Sequence, residues 1–307
     1  MAKKILVIGG TYFLGKAFVQ MILKETDCEV TIMHRGTAGA KIDIESERLT
    51  EIFGDRHDGA ALRELPGEHY DAVVDFCAYI KGDISFLLDR IKATVDHYIF
   101  ISTVDVYQRG LGRFLEEDAP LETRSFGGTT GDYISGKVAL ESEIKEACAK
   151  KGCEYTVLRP AIIFGPENYA PREGMYFYWI GSAGQVLSPT DSDGEFQLVY
   201  VKDAARAIKL VMGNPAAYGK AFNVCENKTD NYESFCSLLK EATGEDFEIL
   251  ETRVEVINEK NIPLPFPLTK EESNYYDGKA IAELGLEFTD KVSAMKETYQ
   301  DYLRRNS

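Results

Sequence analysis

The chain has no hydrophobic run of membrane-spanning length, no Cys-x-x-Cys pair and no Lys/Arg-rich stretch. Each absence excludes something. A helix that crosses a bilayer needs about 20 consecutive apolar residues, and none are found. The run Ile5-Leu-Val-Ile, directly after Met1-Ala-Lys-Lys, is too short for a signal peptide and ends at glycines. The cysteines are Cys28, Cys77, Cys148, Cys153, Cys225 and Cys236, in mostly apolar or helical surroundings. Free thiols in a reducing compartment are expected, hence a cytoplasmic protein with no membrane partner. The four histidines, His34, His57, His69 and His97, show no metal-ligand spacing, so no metal is expected. Positive charge is scarce: 35 Lys and Arg against 50 Asp and Glu give a formal net charge of −15. Such a surface repels nucleic acid, which makes that partner an unfavoured one.

What is present suits a folded enzyme-sized unit. The 307 residues, 44% hydrophobic and 28% charged, suffice for two domains or one large α/β unit with an appended lobe. Strands are predicted over 4–8, 29–33, 49–53, 71–76, 97–102 and 154–158. Helices are predicted over 14–25, 58–65, 81–93 and 132–150. This alternation implies right-handed crossovers and a Rossmann-type, doubly wound parallel sheet with helices on both faces. After Pro160 the pattern changes to a Gly-, Pro- and aromatic-rich stretch over 165–195. A short strand over 197–201 is predicted to return to the core, before a helix capped by Asp203. A strand at 220–224, a helix at 231–242 and a mixed tail follow. The expected division is 1–165 with 197–224 as a dinucleotide-binding domain, and 166–196 with 225–307 as a smaller C-terminal substrate lobe.

The first strand runs into Gly9-Gly10-Thr11-Tyr12-Phe13-Leu14-Gly15. Glycines allow a tight strand-to-helix turn and close approach of backbone to a pyrophosphate, with the helix N-terminus facing the negative charge. Gly9, Thr11, Tyr12, Phe13, Leu14 and Gly15 are therefore candidate cofactor contacts. The second strand ends in His34-Arg35 where an acidic residue would mark a free ribose 2′-hydroxyl. A guanidinium suits a phosphate, so NADP is expected ahead of NAD. Asp55 and Arg56, after the third strand, are placed beside the adenine, with a helix cap as the other use for Asp55.

Tyr133 and Lys137 lie four residues apart on one helix and share a face. A phenol with its ordinary pKa of roughly 10 is a poor base at neutral pH. A nearby ammonium, helped by an oxidised nicotinamide, favours the phenolate and lowers that pKa. The same lysine can bond the nicotinamide ribose. The fifth strand delivers Ser102 and Thr103 at its carboxyl end, where ligands of parallel sheets bind. Thr103 is the first candidate to steady a substrate oxygen, Ser102 the second.

Six segments, GGTYFLG at 9–15, DFCAY at 75–79, ISTVDVY at 101–107, YISGK at 133–137, LRPAIIFGP at 158–166 and VYVKDAARAI at 199–208, resemble the extended short-chain dehydrogenase/reductase superfamily. The likeness is to its NAD-dependent epimerase/dehydratase family. Tyr12 in place of the middle glycine resembles the subgroup that includes chloroplast stem-loop-binding proteins. The resemblance implies a triad of Thr103, Tyr133 and Lys137, with Pro160 and Ile163 on the nicotinamide side and Cys77, Ala78 and Tyr79 passing the cofactor. It also implies that a helix pair carrying the Tyr/Lys segment forms the seam of a homodimer.

The implied activity is an NAD(P)-dependent epimerase or oxidoreductase acting on a nucleotide sugar or a related hydroxyl or carbonyl compound. Arg124, Asn168, Tyr169 and Arg172 are candidate substrate contacts, because arginine grips a diphosphate. Tyr176, Tyr178 and Trp179 either stack on a ligand or form a lobe core. Dehydration needs a further acid/base pair beside Thr103, where Val104 and Asp105 stand. An RNA-binding or redox-sensing regulator that reuses the fold is the rival class.

Overall fold

The computed structural model describes residues 2–36, 42–111 and 114–307. Seven strands form the central sheet: β1 (Lys4–Ile8), β2 (Glu29–His34), β3 (Leu49–Phe53), β4 (Ala72–Asp75), β5 (His97–Ile101), β6 (Glu154–Pro160) and β7 (Lys220–Val224). Their order is β7-β6-β5-β4-β1-β2-β3, and every pairing is parallel. Among the described residues the α-helices are, in chain order, α1 (Phe13–Glu25), α2 (Gly59–Arg63), α3 (Asp83–Arg90), α4 (Gly128–Lys151), α5 (Glu173–Ala183), α6 (Val201–Val211), α7 (Tyr232–Thr243), α8 (Val254–Glu259), α9 (Lys279–Glu283) and α10 (Lys291–Asn306).

The apolar strands are buried on both faces, which is why they read as continuous hydrophobic runs. Leu6 and Ile8 point to one face, with Tyr98, Phe100, Leu87 of α3 and Leu140 of α4. Ile5 and Val7 point to the other, with Ile99, Phe18 of α1 and Ile208 of α6. The sheet is therefore doubly wound, and a loop cluster gathers at the carboxyl ends of its strands.

Three local expectations shift. Leu198–Tyr200 pairs in parallel with Ile162–Phe164 and stays off the seven-stranded sheet. Helix α6 starts at Val201 after Tyr200, so Asp203 is not its cap. Asp203 instead sits buried in the first turn, pairs with Arg206 and accepts bonds from Thr289 N (2.8 Å) and Oγ1 (2.7 Å). That ties α6 to the chain entering α10. Helix α4 starts at Gly128 rather than 132. Gly131 makes this possible, since a Cβ there would lie 1.8 Å from Phe126 O.

The smaller C-terminal lobe packs α5, α7 and α10 around the parallel pair Gln185–Pro189 and Glu248–Thr252. Its core is aromatic. Phe196 and Phe266 stack with ring centroids 3.9 Å apart, and Tyr176 meets Trp179 and Phe235 at 5.1 Å each. Tyr176 and Trp179 thus belong to the lobe core, while Tyr178 is exposed. Among the described residues, no helix is long and apolar enough to cross a membrane.

Candidate active site

The turn after β1 takes the left-handed conformation at Gly9 (φ +86°) and Gly10 (φ +84°). A side chain at Gly10 would put its Cβ 2.6 Å from Val7 Cγ1, and one at Gly15 would put its Cβ 2.3 Å from Gly10 Cα. Only glycine lets α1 sit this close to the turn. Helix α1 has no side-chain cap at Tyr12 and no acidic residue in its first turn. Its N-terminal dipole therefore meets no fixed negative charge from that turn, which fits a pyrophosphate. Thr11, Phe13, Leu14 and Gly15 are buried there, and Tyr12 is half exposed.

A strap crosses this region. Lys16 Nζ donates to Asp43 Oδ2 (2.5 Å) and to Glu167 Oε2 (2.7 Å). Tyr169 sets its ring edge-on to Phe13 at 6.0 Å. Among the described residues, four non-glycine residues have positive φ, and three of them, Phe13, Asp43 and Glu167, belong to this strap. Such backbone strain recurs at ligand clamps. Burial pulls the Lys16 ammonium down, but its bonds to Asp43 and Glu167 raise its pKa overall. No sequence motif singles out Lys16, because its partners lie 27 and 151 residues away.

The end of β2 separates its two candidates. His34 is buried: its Nε2 lies 3.0 Å from Glu51 Oε2 and its Nδ1 accepts from Gly36 N at 3.2 Å. Arg35 is exposed, and its charge helps lower the Asp55 pKa after the larger effect of the bond from His57 N. Asp55 does not cap α2; Asp58 does, accepting from Ala60 N and Ala61 N. Arg56 is buried and engaged by the fold. Its Nη1 donates to both Asp75 oxygens at 2.8 Å, and its Nη2 donates to Asp83 O at 2.7 Å. Its guanidinium is thus turned to Asp75.

Asp75 also accepts from Cys77 N at 3.0 Å, which shapes the turn leaving β4. A Cβ at Gly9 would lie 3.2 Å from Cys77 Sγ, so Cys77 borders the glycine turn. Burial pushes its thiol up to about 12. Ala78 is buried. Tyr79 N bonds Asp83 Oδ2 at 2.8 Å, and the Tyr79 ring lies 6.3 Å from that of Tyr133. Gly136 permits this meeting, since a Cβ there would lie 1.8 Å from Tyr79 O. That glycine lies within YISGK, but its partner is distant in sequence, so spacing gives no sign of the contact.

Helix α4 carries Tyr133 and Lys137 to the carboxyl end of β5. Lys137 is buried, and its Nζ donates to Ile101 O at 2.7 Å. Three rings also surround it, with centroids at 4.7 Å (Phe100), 4.8 Å (Tyr79) and 5.7 Å (Tyr133). Burial lowers its pKa to about 8. The Tyr133 phenol is raised above its ordinary value, against expectation. Burial is the main cause, with the Asp105 charge and Tyr79 next, while a hydrogen bond with Thr103 acts the other way. The lone ammonium does not outweigh desolvation of a phenolate.

Thr103 and Ser102 also part company. The Thr103 hydroxyl donates to Asp105 Oδ2 at 3.3 Å and is near enough to Tyr133 to pull its pKa down against the larger effect of burial. The Ser102 hydroxyl donates to Glu141 Oε1 at 2.5 Å, and Glu141 is clamped by Arg159. Arg159 in turn donates to Tyr107 Oη (2.7 Å) and Glu117 O (2.8 Å). Ser102 is therefore tied into a buried network behind the strand end.

Pro160 closes β6 and pairs with Val224. Ile163 is half-buried, and its carbonyl accepts from Arg172 Nη1 at 3.1 Å. Asn168 is engaged locally: Nδ2 donates to both oxygens of buried Glu173 (2.9 and 3.0 Å), and Oδ1 accepts from Ala170 N. Tyr169 is largely exposed against Phe13. Arg124 is clamped on Glu122 through Nε (2.8 Å) and Nη2 (2.7 Å). This bond is the main reason Glu122 stays down at about 2. Away from the site, His69, Asp71 and Asp96 bring potential ligand atoms within 4.8 Å of one another. Sequence spacing missed this grouping because a separate parallel pair, His69–Tyr70 with Thr94–Val95, assembles it. His69 is held there by Thr94 (2.9 Å) and Asp96 (3.4 Å), as in an ordinary surface ion pair.

Residues 85–225 match the model of the NAD dependent epimerase/dehydratase family. The chain is 28% identical over 254 residues to the chloroplast stem-loop binding protein of 41 kDa b of Arabidopsis thaliana. That match covers 79% of this chain and 64% of the relative, so the chain spans less than two thirds of it. The UDP-glucose 4-epimerase of Thermotoga maritima, solved with UDP-glucose, superposes with a TM-score of 0.78 at 22% identity over 99% of both chains. The UDP-glucose 4-epimerase of Thermus thermophilus, solved with NAD, gives 0.74 at 19% identity over 98% of this chain and 99% of that one. At these identities the structural likeness is one of fold.

Proposed function

We propose that this chain, of which residues 85–225 match the NAD dependent epimerase/dehydratase family, is a member of that family and an NAD(P)-dependent epimerase or oxidoreductase acting on a nucleotide sugar or a related hydroxyl or carbonyl compound. The observation that carries this reading is that α4 brings Tyr133 and Lys137, with Nζ 5.7 Å from the phenol ring centroid, to the carboxyl end of β5 where Thr103 follows. The proposed division of labour is 1–165 with 197–224 for the cofactor, and 166–196 with 225–307 for the substrate. Cytoplasmic residence agrees with six free thiols, and α3 packed on α4 is the proposed homodimer seam.

When bound, a nicotinamide dinucleotide supplies the acceptor and donor of hydride. The turn at Gly9 to Gly15 and the open end of α1 would hold its pyrophosphate. Cys77, Ala78, Tyr79, Pro160 and Ile163 would border its path. Thr103 and Tyr133 hold the substrate oxygen between them. Tyr133 takes the proton of the hydroxyl as the carbon is oxidised and returns it on reduction. Lys137 has three N–H donors, one held by Ile101 O, so it can bond a ribose while its charge stabilises the phenolate. Below pH about 8 Lys137 is charged, as that role requires. Arg172 and Tyr169, with Asn168 as a positioning residue, would contact the substrate, and Arg124 would join them by leaving Glu122.

Arg35 supports NADP, because an exposed guanidinium at the end of β2 suits a 2′-phosphate. NAD is the alternative, as in the Thermus enzyme's structure. The deciding experiment has two parts. Cofactor released from purified protein is identified and counted, then UDP-hexoses are supplied and inversion or net redox change is followed. Retained cofactor with inversion supports an epimerase; exchange with net redox change supports a reductase. Neither activity in cofactor-loaded protein rejects the reading.

The chloroplast relative is named for binding stem-loops, which gives a second reading as an RNA-binding protein. The net charge of −15 opposes it. Affinity for a stem-loop RNA that falls steeply with salt would favour it.

A further inference from the structure

Helix α4 ends in a Schellman motif. Gly152 is left-handed (φ +80°), Cys153 N bonds Cys148 O at 3.0 Å, and Gly152 N bonds Ala149 O at 3.2 Å. This double closure places residues 148 and 153 at the two positions whose side chains meet across such a cap. Ordinarily the contact is between two hydrophobic groups. Here both are cysteines, and both sit in the same apolar cluster under the sheet. Cys148 is fully buried, whereas Cys153 is part-exposed at the surface. The two have different jobs available: one sulfur is reachable, the other waits behind it.

We propose that Cys148 and Cys153 form a redox site, a dithiol that peroxide converts to a disulfide across the carboxyl cap of α4. The Cys153 thiolate attacks hydrogen peroxide, breaking the O–O bond to give a sulfenic acid, and the hydroxide released takes up a proton to become water. The Cys148 sulfur then attacks the sulfenic sulfur. The S–O bond breaks, the S–S bond forms, and the hydroxyl leaves with the Cys148 proton as a second water. Two thiols are oxidised by two electrons and one peroxide is reduced to two waters. A lower-pKa thiolate is the first to react. The neighbouring Cys148 thiol and, after it, the Lys151 charge hold Cys153 below the ordinary thiol value, against the effect of burial. A disulfide at this point would pin the last turn of the helix that also carries Tyr133 and Lys137.

The test uses the full chain treated with hydrogen peroxide, followed by thiol counting and peptide mass mapping. Of six free thiols, two should be lost, with a mass decrease of about 2 Da mapping to Cys148 and Cys153. Reductant should restore both. Cys148→Ser should stop at the sulfenic acid on Cys153, seen as a gain of about 16 Da. Cys153→Ser should form no disulfide, and Cys148 should react at least tenfold more slowly than Cys153 does in the wild type. Retention of all six thiols, loss mapped to other cysteines, or equal reactivity of Cys148 in Cys153→Ser would overturn the proposal. If one variant fails to fold, the wild-type mapping decides alone.

Discussion

Lys16 and Lys137 are both nearly excluded from solvent, yet their surroundings move them in opposite directions. Lys16 meets two carboxylates, Asp43 and Glu167, and its ammonium is favoured. Lys137 meets one carbonyl and three aromatic rings, and burial lowers it to about 8. Lys137 is the more deeply buried of the two, so depth and partner chemistry together decide the sign. The lysine of the strap suits holding something in place. The lysine of the helix is poised to change charge near neutrality, which suits proton chemistry.

The largest expected effect comes from removing the group Lys137 serves. Tyr133→Phe should cost roughly 10²–10⁴ in turnover while cofactor affinity changes little, both measured on one preparation. Unchanged turnover would reject Tyr133 as the acid/base.

Lys137→Met tests the contrast through pH. Native Lys137 loses its proton near pH 8 and unfolded Lys137 near 10.5. Between those values the unfolded chain holds the extra proton, so this group makes stability rise with pH, by roughly 3 kcal/mol in all. Below pH 8 both states are protonated and the slope vanishes. Denaturant titrations of wild type and variant should show the difference growing across pH 8–10.5. Lys16 has the opposite sign: its raised folded pKa makes its contribution complete below 10.5 and lost as pH climbs through the folded value.

Gly136→Ala should destabilise the fold by about 1–3 kcal/mol, because a methyl group cannot share space with Tyr79 O. A thermal midpoint equal to wild type would mean that the Tyr79 turn yields freely, and with it one wall around Lys137. Lys16→Met should speed cofactor release by a factor of about 5–30, the equivalent of roughly 1–2 kcal/mol, with turnover chemistry untouched in a single-turnover measurement. An unaltered release rate would remove the strap from cofactor retention. The smallest effect is expected at Arg35→Ala, which should weaken NADP about tenfold and leave NAD nearly unchanged. Equal losses would remove the 2′-phosphate role.

Much of the frame was legible because its signals are local. The bounds of β1 follow from an apolar run and its flanks, and those of β3 and β7 fall at the expected 49–53 and 220–224. Gly10 and Gly15 announce a close approach that any side chain would block. Tyr133 and Lys137 share a helical face by spacing alone. The residues that spacing could not sort were polar ones with distant partners. Arg56 was a candidate for adenine until Asp75 and Asp83 took its guanidinium. Ser102 and Thr103 are adjacent, yet Glu141 claims one and Asp105 accepts from the other.

The amino-acid order by itself therefore determined the doubly wound sheet, the glycine turn and the helical face with its phenol and ammonium, since each depends on steric rules acting over a few residues. Only the folded chain decided what Lys16 straps, where the pKa values of Tyr133 and Lys137 fall, and that Cys148 meets Cys153 across the end of α4. Those outcomes depend on desolvation and on partners that packing selects, and neither quantity is carried by the identity of a residue.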